Sequence, residues 1–243
     1  MSESPQTIII TGSNSGIGAE IARRFLADGA SVIINGRNEE KLESVRRSLA
    51  HPDRVIAIAG DVGDPETGQR LARAAMDQFG SIDVLVNNAG QFDVKPFLET
   101  TSDDLDTFYN SNLRGTFFTS QAVVPHMIEA KSGSIISIGT VLVNHGMTTA
   151  PVTGAMTSKG GIHALSVSLA AELAQHNIRV NVVAPGIIRT PLIGDDADSF
   201  APIHPLGRIG EVEDISRAVQ YLAGAQFVTG TVLEVDGGYT HGR

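Results

Sequence analysis

The chain has 243 residues, 42% of them hydrophobic, which is enough to bury one sizeable α/β core without requiring a second domain. Its 18 basic and 27 acidic residues give a formal charge of −9, the wrong sign for nucleic acid or an anionic membrane surface. The lack of cysteine excludes disulfides, thiol nucleophiles and thiolate metal sites together. With no basic, apolar leader in MSESPQTIII and no run long enough to span a bilayer, a cytoplasmic protein is expected.

In chain order, short β-branched runs at residues 7–10, 31–35, 54–59, 82–86, 134–138, 178–183 and 231–235 read as seven strands. Between them, residues 19–29, 38–49, 68–80 and 161–177 repeat apolar side chains at helical spacing, and a Gly or Asn often follows. Strand and helix alternating, with strands apolar throughout, predict a doubly wound parallel sheet covered by helices on both faces, as a single domain over residues 1–243. Residues 189–210, rich in Pro and Gly, are expected to form a mobile loop over a site. Their carboxylates Asp195, Asp196 and Asp198 read as solvated charges rather than ligands.

Ligands of such sheets bind at the carboxyl ends of the strands, so the first strand is the place to look. It leads into TGSNSGIG, where Gly12, Gly16 and Gly18 let backbone N–H groups and a helix N-terminus approach phosphate; an ordinary packing turn has the same spacing. GDV follows at 60–62 and NNAG at 87–90, then NSNLRGTF and APGIIRTP. Together these motifs resemble the cofactor-binding pattern of the short-chain dehydrogenase/reductase family over essentially the whole chain. The resemblance implies a seven-stranded Rossmann sheet in three α/β/α layers, a nicotinamide dinucleotide, a small-molecule substrate, and a homotetramer or homodimer built through long helices. It places cofactor contacts at Gly12, Ser15, Gly16, Ile17 and Gly18, at Asp61 and Val62 beside adenine, and at Asn87, Ala89 and Gly90. It adds Lys159, Pro185, Gly186, Ile188 and Thr190 at the nicotinamide end. Asn87 and Asn88 have a second reading as braces of a strand-end turn, and Asp236-Gly237-Gly238 as a tight turn.

The second strand ends in NGR. Gly36 stands where NAD-preferring relatives carry Asp, and Arg37 offers a guanidinium fork suited to phosphate, so NADP(H) is the preferred cofactor, with NAD(H) possible. The alternative reading has Arg37 opening a helix surface or stacking on adenine.

Carbonyl reduction needs a proton, or strong hydrogen bonds, at the developing alkoxide. In the family the donor is a Tyr four residues before a Lys, with a Ser and an Asn completing the relay. Lys159 and Asn112 match that pattern. The donor position in GAMTSKG is Ala155, and Gly139-Thr140 stand where a Ser pair is common, so Thr140 keeps a hydroxyl. His145, in the loop between Thr140 and the helix, is a candidate acid or a solvated surface residue. His51, His126, His163, His176, His204 and His241 show no metal spacing, and no metal is expected. Tyr109, Tyr221 and Tyr239 fall outside the motif, although Tyr239 in an oligomer is near enough to the C-terminus to reach a site. Three readings follow: a reductase with a non-standard donor, a redox-silent cofactor-binding sensor or partner subunit, and a non-redox reaction. Val141, Leu142, Val143, Met147, Leu192, Ile193 and Phe200 suggest a partly apolar pocket.

Overall fold

The computed structural model describes residues 5–147, 150–194 and 196–242. Its strands are β1 (Thr7–Ile10), β2 (Ser31–Gly36), β3 (Val55–Ala59), β4 (Val84–Asn87), β5 (Gly133–Ile138), β6 (Ile178–Pro185) and β7 (Val232–Val235). They form one parallel sheet in the order β3-β2-β1-β4-β5-β6-β7. Chain order reverses between β1 and β4, which opens a crevice at their carboxyl ends where a Rossmann sheet receives its ligand.

The helices are α1 (Gly16–Ala27), α2 (Glu39–Ser48), α3 (Pro65–Phe79), α4 (Ser102–Phe108), α5 (Gly115–Ala130), α6 (Thr153–Leu173) and α7 (Val212–Gly224). Alternation along β1 splits the core in two. Ile8 and Ile10 pack with α1, α2 and α7, while Ile9 packs with α3, α5 and α6. All three isoleucines are completely buried, each contributing roughly 2 kcal/mol of hydrophobic stabilisation, and this explains why the strand reads as a continuous apolar run.

Local chemistry sets the helix ends. Asn38 Oδ1 accepts the Lys41 N–H at 2.8 Å, and Asp64 Oδ1 accepts the Glu66 N–H at 3.0 Å beside Pro65 in the first turn of α3. Gly80, at φ +76°, ends α3 in the left-handed region. Helices α1 and α3 each begin three residues earlier than periodicity places them, because their first turns are Gly-, Pro- and polar-rich. Between α4 and α5 runs a π-helical turn, Tyr109–Arg114, and it carries Asn112 inward. No helix among the described residues is long and apolar enough to cross a membrane.

Candidate active site

The glycine turn after β1 is fastened to the end of β4. Thr11 Oγ1 accepts the N–H groups of Asn88 and Ala89 at 3.1 and 3.0 Å, while Asn88 Nδ2 donates to the carbonyls of Thr11 and Gly12 at 3.0 and 2.8 Å. Gly12 has φ +65°, and a Cβ there would sit 2.6 Å from Ala89 Cα. A Cβ on Gly18 would lie 2.5 Å from both Asn88 Nδ2 and the Gly12 carbonyl. Turn and strand end therefore touch backbone to backbone. The Ser15 side chain makes no capping bond and α1 has no acidic residue in its first turn, so this helix start presents N–H groups uncompensated by a carboxylate.

Two adjoining clefts follow the crevice and share Arg37, Asn88, Gly90, Gln91 and Leu192. The smaller, about 290 Å³, brings together Gly12, Ser15, Asp61, Val62 and Ala89. The Asp61 carboxylate is oriented there by the Gly63 N–H at 2.9 Å and Asn110 Nδ2 at 3.4 Å. The larger, about 530 Å³, gathers Ile17, Thr140, Lys159, Pro185, Gly186, Ile188 and Thr190. Gly16, at φ +53°, packs beside Thr190. Asn87 lies elsewhere: its carboxamide donates to Ser120 Oγ at 3.0 Å and accepts from Thr119 Oγ1 at 2.6 Å, tying β4 to α5. Its neighbour Asn88 lines both clefts instead.

Arg37 leans over the crevice mouth. With the Gln91 carboxamide oxygen turned toward it, as hydrogen bonding requires, Nη1 and Nη2 lie 2.9 and 3.1 Å from that oxygen. A Cβ on Gly36 would come 3.2 Å from Asn14, so a carboxylate at this strand end has to displace that side chain.

Lys159 is nine-tenths buried and donates to the Ile138 carbonyl at 2.8 Å, with burial pushing its ammonium down to about 8. Asn112, fully buried, accepts the Gln91 N–H at 2.6 Å and donates to the Gln91 carbonyl at 3.0 Å and Ser158 Oγ at 2.8 Å. It thus braces Gly90 and Gln91 against α6. A Cβ on Gly90 would sit 2.8 Å from Asn112 Oδ1 and 3.2 Å from Lys159 Nζ. On the other side, His163 fills the space under Gly139, where a Cβ would meet its Nε2 at 2.4 Å. Burial, and secondarily the Lys159 charge, lower the His163 pKa, keeping this imidazole neutral.

Thr140 lines the large cleft and accepts the Leu142 N–H at 3.3 Å. Ala155 is buried and its carbonyl accepts from Ser158 Oγ at 2.8 Å; neither Ala155 nor His145 is among the described residues lining either cleft. The side chain that sequence reasoning set aside is Tyr239, which lines the large cleft of its own chain. No local pattern flags it, since it reaches the cleft only because β7 lies beside β6.

The segment 189–210 closes one side. It carries a short 3₁₀ turn, Ala197–Ile203, and lends Thr190, Leu192, Ile193 and Ile203 to the cleft wall. Arg189 joins Glu211 at 3.1 Å and Asp198 at 2.5 Å, so Asp198 is an exposed ion-pair member. Asp196 is exposed, and Asp195 lies outside the described residues, as do Thr148 and Thr149. Phe200 and Val143 do not join Val141, Leu142 and Met147 in the cleft wall. Buried His204 pins the segment from within, Nδ1 against the Phe200 carbonyl at 3.0 Å and Nε2 accepting the Ile187 N–H at 3.4 Å.

These features suit an extended dinucleotide. Glycines 12, 18 and 90 sit where a side chain would collide, a helix start faces phosphate-sized space, and the crevice continues to a lysine at its far end. Among the described residues no three His, Cys, Asp or Glu side chains converge as a metal site.

A family model described as Enoyl-(Acyl carrier protein) reductase matches residues 12–240. The 2,3-dihydroxy-2,3-dihydro-p-cumate dehydrogenase of Pseudomonas putida is 36% identical over 246 residues, covering 97% of this chain and 94% of that protein. The 3-oxoacyl-acyl-carrier-protein reductase of Chlamydia pneumoniae is 36% identical over 241 residues, covering 96% of each. Among solved structures, ElxO with NADP bound superposes with a TM-score of 0.92 at 30% identity, covering 98% of this chain and 100% of that one.

Proposed function

The chain belongs to the short-chain dehydrogenase/reductase family, and we propose that it reduces a carbonyl compound with NADPH, using a proton donor other than the helical tyrosine. The observation that carries this reading is Lys159, retained and buried in the wall of a cleft whose glycine turn, Asn112 brace and hydroxyl-bearing Thr140 are also in place.

NADPH, when bound, supplies the hydride. The α1 start and the glycine turn would hold its pyrophosphate, with Asp61 and Val62 beside the adenine. Arg37, on exchanging its Gln91 contact, would give the 2′-phosphate a bidentate partner where Gly36 offers no opposing carboxylate. A cofactor preference for NADPH over NADH follows, with NADH a weaker substitute. Lys159 lies toward the cofactor side of the reacting end, where its charge favours a growing negative charge, and the Thr140 hydroxyl would stabilise that charge on the carbonyl oxygen. Val141, Leu142 and Met147 give the same cleft an apolar wall.

The buried Ala155 favours a second reading, a protein that binds the dinucleotide without turnover. NADPH oxidation measured over a panel of ketones, aldehydes and quinones separates the two. Turnover by the unaltered chain supports the reductase; turnover restricted to Ala155→Tyr puts silent binding in its place.

A further inference from the structure

Building on the reductase reading, we propose that Tyr239 donates the proton that Ala155 cannot, reaching the substrate from the turn after β7 instead of from α6. Of the described side chains lining the large cleft, Arg37, Lys159 and Tyr239 are the titratable ones. A guanidinium does not give up its proton. Lys159 already spends one N–H on the Ile138 carbonyl and lies against Gly90 and Asn112, on the side of the cleft assigned to the cofactor. Tyr239 is the remaining acid, and among the described lining residues no carboxylate shares the cleft with the anion it leaves.

The backbone fixes the position of this residue. Gly237 at φ +61° and Gly238 at φ +87° are consecutive left-handed positions, a reversal that other residues strongly resist. Asp236 locks the reversal: Oδ1 accepts the Gly238 N–H at 2.9 Å, and Oδ2 accepts the Thr240 N–H at 2.9 Å and Thr240 Oγ1 at 2.8 Å. The Gly237 carbonyl accepts the Leu206 N–H at 3.1 Å, joining the turn to the segment that walls the cleft. The Tyr239 ring stands 6.0 Å, centroid to centroid, from the His204 ring, and His204 is itself fixed by Phe200 and Ile187. A donor held this way is positioned before substrate arrives.

The step balances. The carbonyl carbon gains a hydride, with NADPH as the reductant. The C=O π pair moves onto oxygen, which takes the Tyr239 hydroxyl proton to give the alcohol. The phenolate is then reprotonated from water.

The test compares the unaltered chain, Tyr239→Phe and, as a control at an exposed phenol, Tyr221→Phe, using the best ketone of the panel. Three quantities are read: single-turnover reduction rate, NADPH affinity by calorimetry, and affinity for an unreactive amide analogue of that ketone in the presence of NADP+. Tyr239→Phe is expected to slow reduction by about 10²- to 10⁴-fold. It is also expected to weaken amide binding by about three- to tenfold through loss of one hydrogen bond, with NADPH affinity unchanged. Tyr221→Phe should change none of the three. Reduction and amide binding that persist unaltered in Tyr239→Phe overturn the proposal and leave the reductase standing. Absence of reduction by the unaltered chain overturns the reductase reading and this proposal with it.

Discussion

Lys159 Nζ donates to the Ile138 carbonyl at 2.8 Å from a position that is nine-tenths buried, so an ammonium is held where water scarcely reaches. The contact fixes the lysine at the end of β5, one residue before Gly139 and two before Thr140. The cost of burial is visible in a pKa lowered to about 8 from 10.5.

That depression has a sign that can be checked. Above the unfolded pKa the amine is neutral in both states and costs nothing. As pH falls through about 10.5 toward 8 the unfolded chain gains a proton that the folded chain resists, and below 8 the whole penalty is present. A shift of this size corresponds to about 3 kcal/mol. Denaturant unfolding of Lys159→Met against the unaltered chain should therefore show the variant's relative stability falling by about 3 kcal/mol between about pH 7 and about pH 11. A pH-independent difference would show that the lysine is not desolvated.

Gly12→Ala places a Cβ 2.6 Å from Ala89 Cα on a residue at φ +65°. Backbone meets backbone there, so no side chain can rotate away. We expect a destabilisation of at least about 2 kcal/mol and loss of measurable NADPH binding. Thermal unfolding and calorimetry read the two effects.

Asn87 and Asn88 are neighbours with different duties. Asn88→Ala frees the Thr11 and Gly12 carbonyls from their clamp and should weaken NADPH binding at least about tenfold. Asn87→Ala leaves buried Ser120 Oγ on α5 without its partner, while Thr119 keeps the Gly115 carbonyl, so it should lower stability by about 1–3 kcal/mol while NADPH affinity stays within a few fold.

Arg37→Asp removes the guanidinium fork and sets a carboxylate at the crevice mouth. NADPH affinity should fall by about one to two powers of ten, and the preference between NADPH and NADH should reverse. Equal losses for both cofactors would assign Arg37 to adenine stacking instead.

Much of this molecule was legible as sequence because its strands are buried on both faces. Ile8, Ile9 and Ile10 need no alternation, and a run such as TIII between turn residues has few other interpretations. The glycine motif was equally readable, since Gly12 and Gly18 answer collisions that any other residue would suffer and Gly16 a left-handed φ. Helices α4 and α5 were harder. Helix α5 buries Gly, Thr and Ser alongside Ala, Val and Met and contains Pro125, so its apolar stripe is faint. The cofactor side of the site follows local motifs, whereas the substrate side is assembled by tertiary contact. His145 lies near the family's donor in sequence but is absent from the described cleft lining; Tyr239, far away in sequence, is brought there by the β6–β7 pairing. Spacing along a chain does not encode a neighbour that arrives from another strand.

The most direct measurement is the transfer of deuterium from NADPH labelled on the nicotinamide ring into the product alcohol, followed by mass spectrometry with the unaltered chain and the best carbonyl of the panel. Deuterium appearing in the product in proportion to protein would establish hydride transfer by a chain with alanine at position 155. Tight NADPH binding with no deuterium in any alcohol would contradict the reductase account and identify a redox-silent binder.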